Sequence, residues 1–369
     1  MDVILSVDAL SHNLTGIGRY TWELAKRIPV HPGVASLSLY KNDRWISEPA
    51  DLMDPASRLR RSGIVMRWLR KRRAEYLFKG RVFHGPNYFL PPKVEHGVIT
   101  VHDLSVLRYP EMHPAERVRQ FSEKFADSLS RAAHIITDTE TVKNEIVESM
   151  GVPMNSITAI HLGVSEEFHP RAPDKLSLGL GQYDLAPGTY ALCVCTIEPR
   201  KKILELIIAW QDLPHEIRSR WTLVISGGRG WLSDDIEAAM DRGQREGWLK
   251  YLGYAHAEDL PALYAGASLF VYPSSYEGFG LPPLEAMASG IPTIVSNASC
   301  LPEVTKGGAM LVDPDNHHSL VEAIHRGLVD GPWRQTAVAD GVEIARGYSW
   351  ERCVEKTVEV YRIVNPTGS

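Results

Sequence analysis

The chain has 369 residues, 44% hydrophobic and 23% charged, with 29 Gly and 24 Pro. That length favours two domains over a single core, and the composition excludes collagen-like and low-complexity chains. The net charge of −5 argues against a globally nucleic-acid-binding protein, yet residues 58–81 hold ten Arg/Lys against one acid, Glu75, a +9 segment in a chain that is otherwise −14.

The first residues lack the basic region and long apolar run of a signal peptide. No stretch reaches the roughly 18–20 apolar residues that cross a bilayer, so a soluble or peripheral, cytoplasmic protein is expected. Residues 3–7 predict a strand, and Gly16-Ile17-Gly18 precedes a helix over 19–28. Strands follow at 34–40, 82–84 and 98–101. A helix over 114–133 carries Phe121, Phe125 and Leu129 four apart on one face. A strand at 135–137, a helix closed by Gly151 and Pro153, and a strand at 157–161 complete the first series.

Residues 166–186, inside a stretch with three prolines and little apolar periodicity, read as a linker. A second series follows: strands at 190–197, 222–226, 249–252, 268–272 and 292–296, with helices at 203–213, 233–246, 258–265 and 283–289. Helices then run to the C-terminus. Strands alternating with helices predict parallel sheets covered on both faces. The expected architecture is α/β, two Rossmann-like doubly wound domains (1–165 and 187–347) facing a cleft, with a last helix in 348–369. Ligands in such sheets bind beyond the carboxyl ends of the strands. Cys193, Cys195, Cys300 and Cys353 make no Cys-x-x-Cys pair and read as small buried hydrophobes.

The richest stretch is residues 272–290. A strand runs into a loop holding Glu277, Gly278 and Gly280, and Glu285 lies eight positions on, in a helix. The glycines let a ligand approach the backbone, and amides at the helix start suit an anion. Two carboxylates can bind vicinal hydroxyls; an isolated pair so spaced would be a helix cap and a solvated residue. Arg200 and Lys201 precede a helix, where cations oppose the helix dipole and call for an anion between them. Gly16 and Gly18 form only Gly-x-Gly, weak as a dinucleotide fingerprint. His102 ends a buried strand. Gly227-Gly228-Arg229-Gly230-Trp231 follows another, its glycines suiting a close nucleotide. Asp313-Pro314-Asp315 spells D-x-D but reads as a plain turn.

These residues resemble the retaining GT-B glycosyltransferases of glycosyltransferase family four, closest to its bacterial mannosyl- and rhamnosyltransferase branch. The stretch Glu277 to Glu285 resembles the family's E-x7-E signature. Thr15–Tyr20 resembles its N-terminal glycine loop, Thr100–Leu104 its His-Asp strand end, and Glu198-Pro199-Arg200-Lys201 its Glu-Pro-Arg-Lys. The likeness runs over residues 2–365, with Lys202 standing where the family often has Asn.

The resemblance implies catalytic roles for His102, Arg200, Lys201 and Glu277. Arg200 and Lys201 hold the diphosphate, Glu277 approaches the donor sugar's hydroxyls, and His102 meets a sugar hydroxyl and presents its backbone carbonyl to the ring. It implies donor contacts at Gly16, Gly18, Gly227, Tyr254, the backbone of Gly278, Phe279, Gly280 and Leu281, and a ribose contact at Glu285. It implies a nucleotide sugar as co-substrate, foremost GDP-mannose, a glycan or lipid-linked acceptor in surface polysaccharide biosynthesis, and no metal or other cofactor. It also implies that the last helix crosses back to the N-terminal domain; an ordinary helix of the second domain is the other reading.

Rhamnosyl or glucosyl transfer from dTDP-, GDP- or UDP-sugars is the alternative function, and a non-catalytic sugar-nucleotide-binding protein a remote one. An epimerase or phosphorylase on the same fold lacks its signature residues here, and nucleic acid is not an expected partner. In 58–81, Ile64, Trp68, Leu69, Tyr76, Leu77 and Phe78 are interleaved with the cations. That pattern suits a helix on an anionic membrane face, with a solvated helix or loop as the alternative.

Overall fold

The computed structural model describes residues 1–12, 14–53 and 76–365. The chain divides into two compact units. The first comprises Met1–Leu107, Glu116–Gly163 and Trp350–Ser369, and the second Arg108–Ala115 and Val164–Ser349.

The first unit is built on β1 (Asp2–Ser6), β2 (Ser36–Lys41), β3 (Arg44–Ile46), β4 (Val82–Gly85), β5 (Gly97–Val101), β6 (Ala132–Thr137) and β7 (Ile157–Ala159). Their order is β3-β2-β1-β4-β5-β6-β7. All pairs are parallel except β2 with β3. The runs are short, apolar and β-branched because the central strands are covered on both faces, and β4 and β5 are buried throughout. Phe121 and Phe125 stack at 5.2 Å on the helix Ala115–Arg131, and both meet Tyr88 edge-on. Antiparallel β3 was not predicted. Its hairpin turns on Asn42 and Asp43, both at positive φ, between paired Lys41 and Arg44.

The second unit holds β8 (Tyr190–Val194), β9 (Thr222–Ser226), β10 (Leu249–Tyr251), β11 (Leu269–Tyr272), β12 (Thr293–Ser296) and β13 (Met310–Val312), in the order β10-β9-β8-β11-β12-β13 and all parallel. In each sheet the winding reverses once, between β1 and β4 and between β8 and β11, giving two doubly wound Rossmann-like units of the GT-B kind.

Several expectations are corrected. Residues 166–186 are not a free linker. Leu176 and Leu180 are buried, and Gln182 and Tyr183 both donate to Asp259, so apolar anchors outweigh the prolines. Strand β13 interrupts the expected run of C-terminal helices; at three residues on a sheet edge it is too short to show a period. Gly16 and Gly18 are not in a loop: the helix begins at Gly16 and ends at Arg27, with Arg19 N donating to Thr15 O. Residues Arg108–Ala115, expected in the first domain, belong to the second unit. There Tyr109 packs on Tyr276 and Trp231 Nε1 donates to Met112 O at 2.6 Å.

The last helix, Trp350–Val364, belongs to the first unit. Tyr361 OH lies 2.7 Å from His84 Nδ1, and Glu351 accepts from Arg27 Nε at 2.9 Å. The four cysteines are buried free thiols, with Cys193 and Cys195 Sγ 3.8 Å apart. Most of the basic segment 58–81 lies outside the described residues. At its described end Phe78 is buried against Tyr40 and Phe83, while Tyr76 is exposed.

Candidate active site

In the second unit the candidate side chains Arg200, Lys201 and Glu277 gather where the winding reverses. Arg200 and Lys201 lie in the short turn Pro199–Lys201 that follows β8. Glu277 lies in the loop that follows β11, the strand paired with β8. Neighbouring parallel strands at a switch point send their following loops to opposite faces, which opens a crevice between the strand ends.

Glu277 stands between the two cations. Its Oε1 accepts from Lys201 Nζ at 2.5 Å, and its Oε2 lies 3.5 Å from Arg200 Nη1. Lys201 also donates to Tyr272 OH at 3.1 Å. Arg200 donates to Glu198 Oε1 at 2.8 Å and to the carbonyl of Tyr276. All four charged groups are more than nine-tenths buried. Burial alone would push the Glu277 carboxyl up, but Lys201 and then Arg200 outweigh it and hold it at about 2. The anion called for between the cations is thus supplied by the protein itself: two cations and two carboxylates form a neutral, preorganised cluster. Glu277 was expected to face sugar hydroxyls; its two oxygens face the cations, with acceptor sites left over for a hydroxyl.

The loop beyond Glu277 is tied down. Ser299 Oγ accepts from Glu277 N and donates to Glu277 O, and Cys300 Sγ donates to Phe279 O. The buried Phe279 ring packs edge-on against Tyr348. Gly280 has φ +96°, and a Cβ there would sit 2.7 Å from Leu301, so glycine is required. The helix Leu281–Ala288 starts directly after it. Pro282 and Pro283 occupy its first turn and carry no N–H, so this helix start offers an anion fewer donors than expected. Glu285 is half-buried in this helix, and its charge pushes the buried Tyr264 hydroxyl further up, after burial itself.

Gly227 follows β9 at φ +152°, and a Cβ there would sit 1.7 Å from the Cys195 carbonyl oxygen. Its N–H donates to Gly253 O at 2.7 Å and its carbonyl accepts from Tyr251 OH at 2.8 Å. Close packing of three strand ends therefore explains this glycine without a ligand. Gly228 has open space around it. Tyr254, just beyond β10, is 36% exposed, the most accessible of the predicted donor contacts in this unit. Asp315 N donates to Asp313 Oδ1 and the Asp315 carboxylate pairs with Lys202 at 2.7 Å, a turn held by an ion pair.

In the first unit, Gly16 and Gly18 open the helix after β1. A Cβ on Gly18 would lie 3.1 Å from Leu14 and 3.3 Å from the Ala9 carbonyl, a tight fit. His102 follows β5 directly and is buried. Its Nδ1 lies 2.7 Å from Asp138 Oδ2 and its Nε2 2.8 Å from Pro86 O. Burial would lower its pKa, but Asp138, with the Pro86 carbonyl and Asp103, outweighs that and raises it. The side chain was expected to meet a sugar hydroxyl; both ring nitrogens are engaged within the unit, which leaves the backbone carbonyl as the group the resemblance assigned. Asp138 and Ser299 were missed because nothing in their local pattern marks them. Only the fold of each unit brings Asp138 to His102 in the first and Ser299 to Glu277 in the second.

Comparison with known proteins agrees with this architecture. Residues 186–340 match the family model for glycosyl transferases group 1. The chain is 38% identical, over 99% of its length and 100% of the relative's, to the O-antigen chain mannosyltransferase B of Escherichia coli. It is 29% identical, over 71% of its length, to the longer E. coli serotype-specific mannosyltransferase WbdA, of which it spans 33%. The sucrose-phosphate synthase of Thermosynechococcus elongatus superposes with a TM-score of 0.75 at 21% identity, covering 99% of both chains, which shows a shared fold.

Proposed function

The chain belongs to the glycosyl transferases group 1 family, and from that premise we propose that it moves a mannosyl unit from GDP-mannose to a hydroxyl of a glycan or lipid-linked acceptor in surface polysaccharide biosynthesis, with retention at the anomeric carbon. It is a glycosyltransferase. The mannosyl assignment is supported by full-length similarity to an O-antigen mannosyltransferase. The observation that carries the donor site is the Arg200–Lys201–Glu277 cluster at the β8/β11 switch point.

The chemistry follows from that cluster. A departing nucleoside diphosphate gains negative charge as the glycosidic bond lengthens. Cations already fixed in a buried site stabilise that charge without reorganising. Glu277 keeps both cations in place before the donor arrives and is held ionised by them. A carboxylate whose two oxygens face cations, with its pKa near 2, is a poor nucleophile, so a glycosyl-enzyme formed on Glu277 is disfavoured. The reading is front-face transfer, in which the leaving phosphate takes the acceptor proton while Arg200 and Lys201 hold it. The diphosphate charge is met by side chains, so the proposed reaction uses no metal. Glu285 is assigned to the ribose.

No helix among the described residues is long and apolar enough to cross a membrane. The proposed site of action is the cytoplasmic face of the membrane, with residues 58–81 resting on anionic lipid, a reading supported by their sequence alone. Failure of anionic liposomes to retain the protein at low salt would remove it. The donor is tested by thermal-shift titration with GDP, UDP and dTDP, where the base that stabilises most identifies the donor. Preferential stabilisation by UDP or dTDP would replace GDP-mannose in the proposal.

A further inference from the structure

His102, Asp138 and Pro86 each occupy the position immediately after a strand: β5, β6 and β4 respectively. These three strands are adjacent and parallel, with Gly85 paired to Ile99 and Val101 to Thr137. One imidazole therefore links the carboxyl ends of three neighbouring strands, the edge where ligands of such sheets bind.

The partners of the ring dictate its protonation. A backbone carbonyl only accepts, so Nε2 carries a proton toward Pro86 O. The Nδ1–Oδ2 contact at 2.7 Å also needs a proton between its atoms, because two lone pairs so close repel. The pair thus holds one proton more than a neutral ring beside a carboxylate. Among the described residues no hydrogen bond reaches the buried Asp138 Oδ1, so the carboxylate meets the ring through Oδ2. Burial raises the Asp138 carboxyl, while Asp138, the Pro86 carbonyl and Asp103 together outweigh burial at the ring and raise it, so both partners hold on to the shared proton. The Tyr20 and Tyr88 rings stand nearly perpendicular to the His102 ring, with centroids 5.2 and 5.9 Å away. Asp103 lies on the same loop, its carboxylate accepting from Ser105 N and Oγ. His84, bonded to Tyr361 OH and Thr100 Oγ1, is held at about 3 by burial and then by His102, so no second cation opposes the ring. His161 and Cys353, from a loop and the last helix, are the other titratable groups coupled to Asp138.

We propose that Asp138 is a positioning residue for the transfer reaction: it holds His102 as a doubly protonated ring that pins the ends of β4, β5 and β6, and turnover falls when the pin loses its shared proton. Deprotonation puts a lone pair on Nδ1 against the carboxylate, and the ring must release Asp138 or Pro86. The His102 carbonyl and the Pro86–Tyr88 loop then lose their fixed placement. Tyr88 is itself at φ +66° and accepts from Asp103 N at 3.1 Å, so the loop depends on these contacts. The activity arm of the test rests on the proposed mannosyl donor; the spectroscopic arm does not.

Full-length protein with 15N-labelled histidine reports both ring nitrogens in long-range proton–nitrogen spectra, with His102 assigned by loss of its signals in H102Q. At pH 7 the His102 ring should show two protonated nitrogens. In Asp138→Asn the amide can donate to Nδ1, so only Nε2 should remain protonated while the fold is kept. In GDP release from GDP-mannose, Asp138→Ala should lower kcat by about 10–100-fold, the scale for a partner that orients a functional histidine, with a smaller change in KM. Asp138→Asn should retain part of the activity and lose the alkaline limb of the wild-type pH profile. A singly protonated His102 ring in the wild type, or an unchanged alkaline limb in Asp138→Asn, overturns the proposal. Should Asp138→Ala not fold, the Asn variant decides by its profile. If GDP-mannose is not turned over, the donor assignment fails and the spectra still decide the pin.

Discussion

Replacing Lys201 by Met keeps most of the side-chain volume and removes the charge. Glu277, 7% exposed, is then left with Arg200 at 3.5 Å as its cation. In the wild type the carboxyl sits at about 2 against an ordinary 4.5. At 1.36 kcal/mol per tenfold, that gap corresponds to about 3 kcal/mol of folded-state stabilisation at neutral pH. Arg200 retains part of it, so the variant should lose about 2–3 kcal/mol, at or just below the usual range for breaking a buried pair. For a domain of 150–250 residues this is a fall in Tm of about 4–12 °C. The sign fixes the pH window. A depressed carboxylate contributes fully above 4.5 and loses its contribution as pH falls through about 2. Thermal unfolding of both proteins between pH 3 and 8 should therefore show the gap widest near neutrality and closing in acid. The same variant should lower turnover by about 10²–10³-fold, as for loss of one fixed charge-stabilising group. A Tm gap that does not narrow in acid, or turnover within tenfold of wild type, would refute the reasoning.

Glu285→Ala should weaken GDP binding by about 10–100-fold, the worth of a hydrogen bond to a charged group, with little change in Tm; calorimetric titration checks it. Gly227→Ala forces a Cβ to within 1.7 Å of the Cys195 carbonyl oxygen, so the second unit should lose several kcal/mol or fail to fold, read by urea unfolding. Turnover should be unchanged after EDTA treatment, because the diphosphate is assigned to Arg200 and Lys201; loss of activity restored by a divalent cation would contradict that assignment.

Much of the fold is legible because parallel strands buried on both faces write themselves as short apolar runs between amphipathic helices. Where the chain broke that rule it became opaque. Strand β13 has three residues with Leu311 exposed, and β3 depends on a two-residue turn at Asn42 and Asp43 that carries no glycine. The site shows the same divide. Arg200 and Lys201 stand out as cations ahead of a helix, while Glu277 and Glu285, ordinary as an isolated pair, stand out through the motif they resemble. That Glu277 would be the anion for Lys201, 76 positions away, depends on β8 lying beside β11, which no local pattern specifies. Asp138 is likewise an unremarkable acid until β6 lies beside β5. At Gly227 the backbone of Cys195 already requires a glycine, a packing demand that the sequence pattern does not separate from a ligand contact.

Proton NMR of the product formed from GDP-α-mannose and a lipid-linked acceptor tests the central claim most directly. Retentive transfer within the buried cation site predicts GDP release with an α-mannosyl product, and strong loss of both in Lys201→Met. A β-linked product, or no mannosyl transfer by the folded wild-type protein, would contradict it.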